Sequence, residues 1–404
     1  MKKMSLGLQE ALRLTLETIK PLVAENVSLV DSVGRISASD LYALVDSPPI
    51  DTSRKDGFAV IGREVTQATA ENPVRLRLLG TMAAGGDNNY QVTPGTAVRV
   101  LTGAPIPAGA DSVISEEYVQ PAGSEVLMEA PPTANKNIRR RGNDVALREQ
   151  IIQANLQITP ALVGLLATAG HSTIPVFKNP VVGIIGSGDE LVEPGRPLTK
   201  SGVYASNIMT LAGFCHKYHM QTRLTIVKDD YTALHNTLQL MVAETDALLT
   251  SGGAWTGERD LMAQVLGELG WQEMFHRIRI GPGKAVGFGL LNQKPVFILP
   301  GGPTSNLMSF LQIALPGLLS LSGHANPGLP RIKARLALDL KGEFNWTDFF
   351  YGTLDHAGDT LPVFYPMAKR TPVADIAKAT AIVAIVEDKD TLAAGEIINV
   401  QLLR

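Results

Sequence analysis

Between residues 178 and 323 the chain alternates apolar strand, glycine-bearing turn and helix, and no other feature narrows its fold as far. Pro180–Ile185, Thr222–Val227 and Asp246–Thr250 read as buried strands, with helices expected near Asn207–Tyr218 and Tyr231–Ala243. Strands separated in this way are joined by right-handed crossovers, giving a mainly parallel sheet with helices on both faces. Ligands in such sheets sit outside the carboxyl ends of the strands. Two glycine turns fall at that edge, one at Ser251, Gly252 and Gly253, the other at Pro300, Gly301, Gly302 and Pro303. Glycine lets backbone N–H groups approach a ligand, and the following helix offers its positive end to phosphate or another oxyanion. A phosphorylated small molecule is the expected ligand.

Around this core the pattern changes. Ser5 is expected to cap a helix running to about Ile19, stopped by Pro21, with Leu8, Leu12, Leu16 and Ile19 on its apolar face. From Ser47 to Asp144 short alternating runs, such as Val74, Leu76, Leu78 and Val98, Val100, predict a small β-rich unit. Thr159 and Pro160 open a helix that Gly170 ends. Beyond Pro330, alternation at Ile332, Ala334, Leu336, Leu338 and Leu340 and the run Ala381–Val386 predict a terminal β domain. The expected division is a helical, dimerising linker from 1–46 and 145–177, a β-rich insertion at 47–144, an α/β domain at 178–328 and a C-terminal β domain at 329–404.

Composition sets outer bounds. In 404 residues, 39 acidic side chains face 36 basic ones, so nothing global points to nucleic acid or an anionic membrane. A single cysteine, Cys215, forms no internal disulfide and suits a reducing compartment. Gln9, Glu10, Arg13 and Glu17 interrupt any signal-peptide core, and no run is expected to reach the ~20 apolar residues of a membrane span. A cytoplasmic protein is expected.

The loops carry the chemistry. Asp189 and Glu190 follow the first strand, Asp229 and Asp230 the second, and Asp260 the glycine turn after the third. Carboxylates gathered beside a phosphate site suit Mg²⁺, which takes carboxylate and phosphate oxygens; acids favoured by helix dipoles explain any one of them equally well. Arg277, Arg279 and Lys284 flank Gly281–Gly283 and supply candidate cations for an oxyanion. Cys215, His216 and His219 lack the second ligand pair that a zinc site needs. The phosphate-binding P-loop, the dinucleotide glycine fingerprint and the Gly-x-Ser-x-Gly elbow are absent from the sequence.

Taken together, the loops resemble the MoeA-type molybdopterin molybdenumtransferases, which also form the C-terminal part of gephyrin. The matching stretches, in the family's order, are Pro48–Ala59, Arg99–Asp111, Ile138–Asp144, Gly188–Leu191, Ser251–Gly253, Gly257–Asp260, Pro282–Lys284 and Leu299–Gly301. The resemblance implies an elongated homodimer of four-subdomain chains, with an α/β part related to the molybdopterin adenylyltransferases. It implies a reaction in which adenylylated molybdopterin and molybdate give molybdenum cofactor and AMP, with Mg²⁺ assisting. A molybdopterin adenylyltransferase is then the supplier, and molybdoenzyme apoproteins or their chaperones are the recipients; neither nucleic acid nor a membrane is an expected partner. Holding a diphosphate beside a second oxyanion demands cations and backbone donors to offset like-charge repulsion.

Carried over by position, Asp56, Thr102, Glu190, Asp229 and Asp260 are the expected catalytic residues, with Glu190, Asp229 and Asp260 also expected to hold the metal. Expected to bind the pterin substrate are Asp144, Ser251, Gly252, Gly253, Arg277, Arg279, Lys284, Pro300, Gly301 and Pro303. Asp56 and Thr102 come from the β-rich unit, so the cleft is expected between subdomains and across the dimer. Several positions depart from the family. Gly281 stands where a lysine is common, Arg277 where another lysine is usual, Trp255 within the glycine turn, Gly302 in place of an asparagine, and Tyr351 in place of an arginine. Arg54 and Lys55 replace smaller or apolar residues, and Lys369–Pro372 replaces a Gln-Gly-Ser loop. These changes leave a second reading open, a protein that binds or carries molybdopterin or its metal-loaded form without inserting metal.

Overall fold

The alternation between 178 and 323 folds as the sheet it implies. In the computed structural model, which describes residues 6–86, 89–133, 136–252, 261–355, 361–368 and 372–403, six strands line up as Gln221–Val227, Val181–Ser187, Ala247–Ser251, Lys294–Leu299, Gly287–Leu291 and Gln272–His276. The first four run parallel, and the last two are added by antiparallel pairing. The apolar runs are continuous because helices cover both faces. Period-2 alternation then sorts the side chains. Ala247, Leu249, Phe297 and Leu299 face one layer, packed with the helices Ser206–Lys217 and Pro303–Ser309. Leu248, Val296 and Ile298 face the other, under Tyr231–Glu244 and Leu261–Glu268.

The segment Pro303–Leu321 is helical for 19 residues and apolar enough by length and composition to cross a membrane, which corrects the expectation that no run approaches that length. In an 18-residue window of this segment, 83% of the residues are buried in this core. Its middle, Phe310–Ala314, widens to a π turn just before Pro316, which has no N–H to donate back along the helix. There Gln312 and Gln401 exchange amide hydrogen bonds at 2.7 and 3.1 Å, tying the helix to the C-terminal domain.

In that domain the strands Arg331–Leu336, Thr347–Asp355, Val363–Pro366, Ala381–Ile385 and Ile397–Leu402 pair into a closed barrel. Leu338, expected in the strand alternation, lies beyond its end and is exposed. The β-rich unit is a six-stranded sheet ordered Ser112–Ser115, Gly57–Val60, Thr96–Val100, Val74–Met82, Glu125–Met128, Val119–Ala122. Its two ends meet where Ser47 bridges Val145. Below that bridge Leu41–Tyr42 pairs with Gln150–Ile152, and Ala24–Ser28 with Thr173–Phe177.

The N-terminal helix spans Leu8–Thr18. Ser5 lies outside the described residues; the first helical N–H, that of Leu8, donates instead to Glu387 Oε1 at 3.0 Å. Gly7 precedes it without a side-chain cap, and a Cβ there would lie 2.0 Å from the same oxygen. The buried face is Leu8, Ala11, Thr15 and Ile19, with Leu12 and Leu16 half-buried. Ala11 and Thr15 are small where the helix runs close to Gly317, whose added Cβ would meet Ile19 at 2.9 Å and Thr15 at 3.2 Å. Leucines would hold the two backbones apart.

Candidate active site

The carboxyl ends of three adjacent parallel strands form one cavity. It measures about 270 Å³ and is lined by Ser187 from the first, Ser251 and Gly252 from the second, and Gly301 and Pro303 after the third. Glu190 and Asn207 complete its polar wall. Gly252 has φ +109°, and a Cβ at this position would lie 2.3 Å from the Ser187 carbonyl oxygen, so only glycine lets these strand ends approach.

Of the expected residues, Glu190, Ser251, Gly252, Gly301 and Pro303 therefore share one cavity. Asp229 is joined to it through Ser187, whose hydroxyl donates to the Asp229 carboxylate, while the Asp229 N–H donates to Asp189 at 3.3 Å. Pro300 contributes its carbonyl to Asn306. Gly253 and Asp260 lie outside the described residues. Among the described residues no three His, Cys, Asp or Glu side chains form a ready metal cage. Of the placed carboxylates, Glu190 lines the cavity, while Asp229 accepts from the Ser187 hydroxyl and Asp189 from the Asp229 N–H.

A second, larger cavity of about 800 Å³ opens on the other side of the Gly301–Pro303 turn, and Pro303 lines both. Its walls include Lys284, Gly281, Ser305, Glu343, Trp346 and Asp348. Among the described residues these walls hold one lysine and two carboxylates. Gly281 is not simply a position lacking charge, because a Cβ there would lie 2.4 Å from Asp348 Oδ1. Asp348 is buried, and its Oδ2 accepts the Glu343 N–H at 2.7 Å, so it cannot readily swing aside. Gly281→Lys is accordingly expected to destabilise the fold by about 1–3 kcal/mol, an overpacking cost. Equilibrium unfolding of Gly281→Lys beside Gly281→Lys/Asp348→Ser checks this; the double variant should recover most of the loss.

The two arginines differ. Arg279 is committed to structure: its Nη2 contacts Glu387 at 2.8 Å, its Nε donates to the Asn345 carbonyl at 3.0 Å, and its backbone N–H to Leu6 at 3.0 Å. Arg277 has φ +75°, and its Nε is buried without an acceptor among the described residues. Tyr351 is only 2% exposed and its hydroxyl lies 3.5 Å from the Thr304 carbonyl, so a neutral phenol, with its pKa pushed up by burial, fills the position where the resemblance led one to expect arginine. Cys215 is likewise buried, which raises its thiol pKa to about 12.

In the β-rich unit Asp56 Oδ1 accepts the Thr102 N–H at 2.6 Å and the Thr102 hydroxyl at 2.8 Å. The backbone hydrogen bond and then the hydroxyl hold the Asp56 carboxyl below its usual pKa. A depressed pKa means the folded chain binds this proton more weakly than the unfolded one. Any stability from the contact is complete above the ordinary carboxylate value of ~3.9 and is lost only as pH falls through the lower folded value. A pH–rate profile for wild type and Asp56→Asn should therefore show no inflection above pH ~4 that belongs to Asp56.

Asp144 pairs with Arg139, Asp51 with Arg140 and Asp46 with Arg141, so the triple arginine is spent on holding the loop where the unit joins the linker. The Arg54 guanidinium donates to Asn143 Oδ1 at 3.4 Å. Among the described residues no hydrogen bond or ion pair joins Asp56, Thr102 or Asp144 to the α/β edge.

Sequence reasoning missed two residues that hold Ser251 at the first cavity, Asn207 in its lining and Asn306 behind it. The Asn306 amide donates to Pro300 O at 2.8 Å and Ser251 Oγ at 3.0 Å; that of Asn207 donates to Gly301 O at 2.8 Å and Ser251 Oγ at 3.1 Å. The available signal was an asparagine in the first turns of each helix entering the ligand edge.

Comparison with known proteins identifies the family of the chain. The family model described as the MoeA N-terminal region (domain I and II) matches residues 6–170, and that described as a probable molybdopterin binding domain matches residues 183–320. Molybdopterin molybdenumtransferase 2 of Mycobacterium tuberculosis is 30% identical over 96% of this chain and 97% of its own. The Haemophilus influenzae molybdopterin molybdenumtransferase is 29% identical over 94% of each. The crystal structure of the molybdopterin biosynthesis moeA protein from Pyrococcus horikoshii OT3 superposes with a TM-score of 0.84 at 28% identity, covering 98% of this chain and 99% of that one. Two family models that together cover most of the chain, and matches to relatives that run almost end to end, place the chain in the MoeA family of molybdopterin molybdenumtransferases.

Proposed function

We propose that the chain inserts molybdenum from molybdate into adenylylated molybdopterin and releases AMP, as an enzyme of molybdenum cofactor biosynthesis. The observation that carries this reading is the pair of cavities on either side of one turn, with Pro303 lining both. Two anionic groups that must react need adjoining seats with a rigid divider. The smaller cavity supplies hydroxyl and backbone donors for phosphate oxygens. The larger one is the proposed seat of molybdate, held by Lys284 and opposed by Glu343 and Asp348.

Mg²⁺ is the proposed cofactor, held by Glu190, Asp229 and Asp260, where it would neutralise phosphate charge as AMP departs. Ser187 keeps the Asp229 carboxylate oriented by donating to it. Asp56 and Thr102 are proposed to reach the site from the second protomer of a homodimer, because within one chain they bond each other and not the α/β edge. Exposed apolar side chains on the linker, Tyr42, Leu44, Val45 and Leu147, offer area for that association. A cytoplasmic molybdopterin adenylyltransferase is the proposed supplier, with molybdoenzyme apoproteins or their chaperones as recipients.

Single-turnover release of AMP from adenylylated molybdopterin, with Mg²⁺ and with or without molybdate, tests the reaction. Release should depend on molybdate and fall at least a hundredfold in Asp260→Ala; tight binding without release would indicate a carrier. Mixing Asp56→Ala with Asp260→Ala chains should restore part of the activity if the site spans two protomers, and none if it lies within one.

A further inference from the structure

Ser251 sits at the centre of the smaller cavity's polar wall and is only 4% exposed. Its hydroxyl has one hydrogen to give and two lone pairs to receive. The carbonyls of Pro300 and Gly301 can only accept, so the nitrogen of each facing amide must be the atom turned toward them, and the usual oxygen–nitrogen ambiguity of asparagine disappears. Each amide nitrogen carries a second hydrogen, and both of these meet Ser251 Oγ, at 3.0 Å from Asn306 and 3.1 Å from Asn207. Both lone pairs of Ser251 are thereby occupied. Its own hydrogen must point elsewhere, and no acceptor for it exists among the described residues.

The same two amides engage the carbonyls of Pro300 and Gly301. This occupies the negative ends of two peptide dipoles that would otherwise be free to repel an anion. The arrangement is thus polarised in one sense, with acceptors occupied and a donor left over.

We propose that Asn207 and Asn306 are positioning residues that aim the Ser251 hydroxyl hydrogen into the cavity, making Ser251 a dedicated donor to a phosphate oxygen of the adenylylated substrate. The inference rests on the cavity being the phosphate cradle of the proposed reaction. Fixing a hydroxyl by two donors removes the rotational freedom that a serine otherwise loses on binding, so the bond forms without rearrangement. A hydrogen bond to a charged oxygen is strong enough for its loss to be read as about a tenfold change in affinity.

The test uses the full chain and two probes, AMP and adenosine, by isothermal titration, with Ser251→Ala, Asn207→Ala and the double variant. Asn207 is chosen because it is half-buried, whereas Asn306 is 1% exposed and its replacement threatens folding. AMP affinity is expected to fall about tenfold in each single variant and no further in the double, while adenosine affinity stays within twofold throughout. Parallel loss for AMP and adenosine, or additive losses in the double variant, would overturn the donor role and leave a structural one. If wild type binds AMP and neither variant changes it, the inference alone fails. If wild type does not bind AMP, the phosphate-cradle reading fails and the inference with it.

Discussion

Gly252→Ala is expected to weaken binding of AMP by about a hundredfold or more, and AMP release should fall with it. At φ +109° an L-residue is strained, and its Cβ would stand 2.3 Å from the carbonyl oxygen of Ser187, in the neighbouring parallel strand. Strain of this kind costs of order 1–3 kcal/mol, and the clash adds to it. The backbone of Gly252 donates to Leu299 O at 3.2 Å, so relieving the contact pulls the second strand end away from the third as well as the first. The cavity is built from those three ends, and a shift of half an ångström is enough to spoil hydrogen bonds aimed across it. Titration with AMP and single-turnover release measure the effect together. Values within threefold of wild type would show that the ligand does not use this turn.

Glu387→Ala is expected to destabilise the chain by about 1–3 kcal/mol and to loosen the N-terminal helix selectively. One carboxylate performs two tasks: Oε1 accepts the Leu8 N–H at 3.0 Å and Oε2 pairs with Arg279 at 2.8 Å. Removing it uncaps the helix and takes from the Arg279 guanidinium one of its partners. The pair is roughly a quarter to a third exposed, so the cost stays below that of a fully buried charge. Glu387→Gln keeps an acceptor for Leu8 and should lose about half as much. Denaturant unfolding gives the totals, and hydrogen exchange at Ala11 and Leu12 reads the helix itself. A Glu387→Ala variant within about 0.5 kcal/mol of wild type would remove the clamp from the account.

The sheet was legible because its information is local. Ala247–Ser251 is apolar, bounded by a turn, and of strand length, and the observed strand differs from the expected Asp246–Thr250 by one residue at each end. Thr159 caps its helix by accepting from Leu162, with Pro160 next, as the pair of residue types predicts. The N-terminal helix shows the opposite case. Its leucine stripe was plain, and Leu8 and Ile19 are buried as expected, yet Ala11 and Thr15 fill the buried positions between them in place of Leu12 and Leu16, with Thr15 lying against Gly317. Pro303–Leu321 likewise passes as a membrane span until its neighbours are in place around it.

The same division runs through the site. Gly252, Gly301, Ser251 and Glu190 were readable as residues of one sheet edge, since backbone freedom and strand-end position are properties of a few consecutive residues. Arg277, Arg279 and Lys284 looked equivalent, three cations around one turn. Tertiary structure separated them: Arg279 is held by Glu387, 108 residues away, Lys284 faces the larger cavity, and Arg277 keeps a buried nitrogen without an acceptor among the described residues. Gly281 read as a lost charge and proved to be room for Asp348. By itself the sequence determined the strands, their crossovers and the glycine turns, because φ/ψ preference and hydrophobic period act over a few residues. Only the folded chain decided which charge meets which carboxylate and where the hydrogen of Ser251 points, because those outcomes depend on distances between residues that the linear order leaves unrelated.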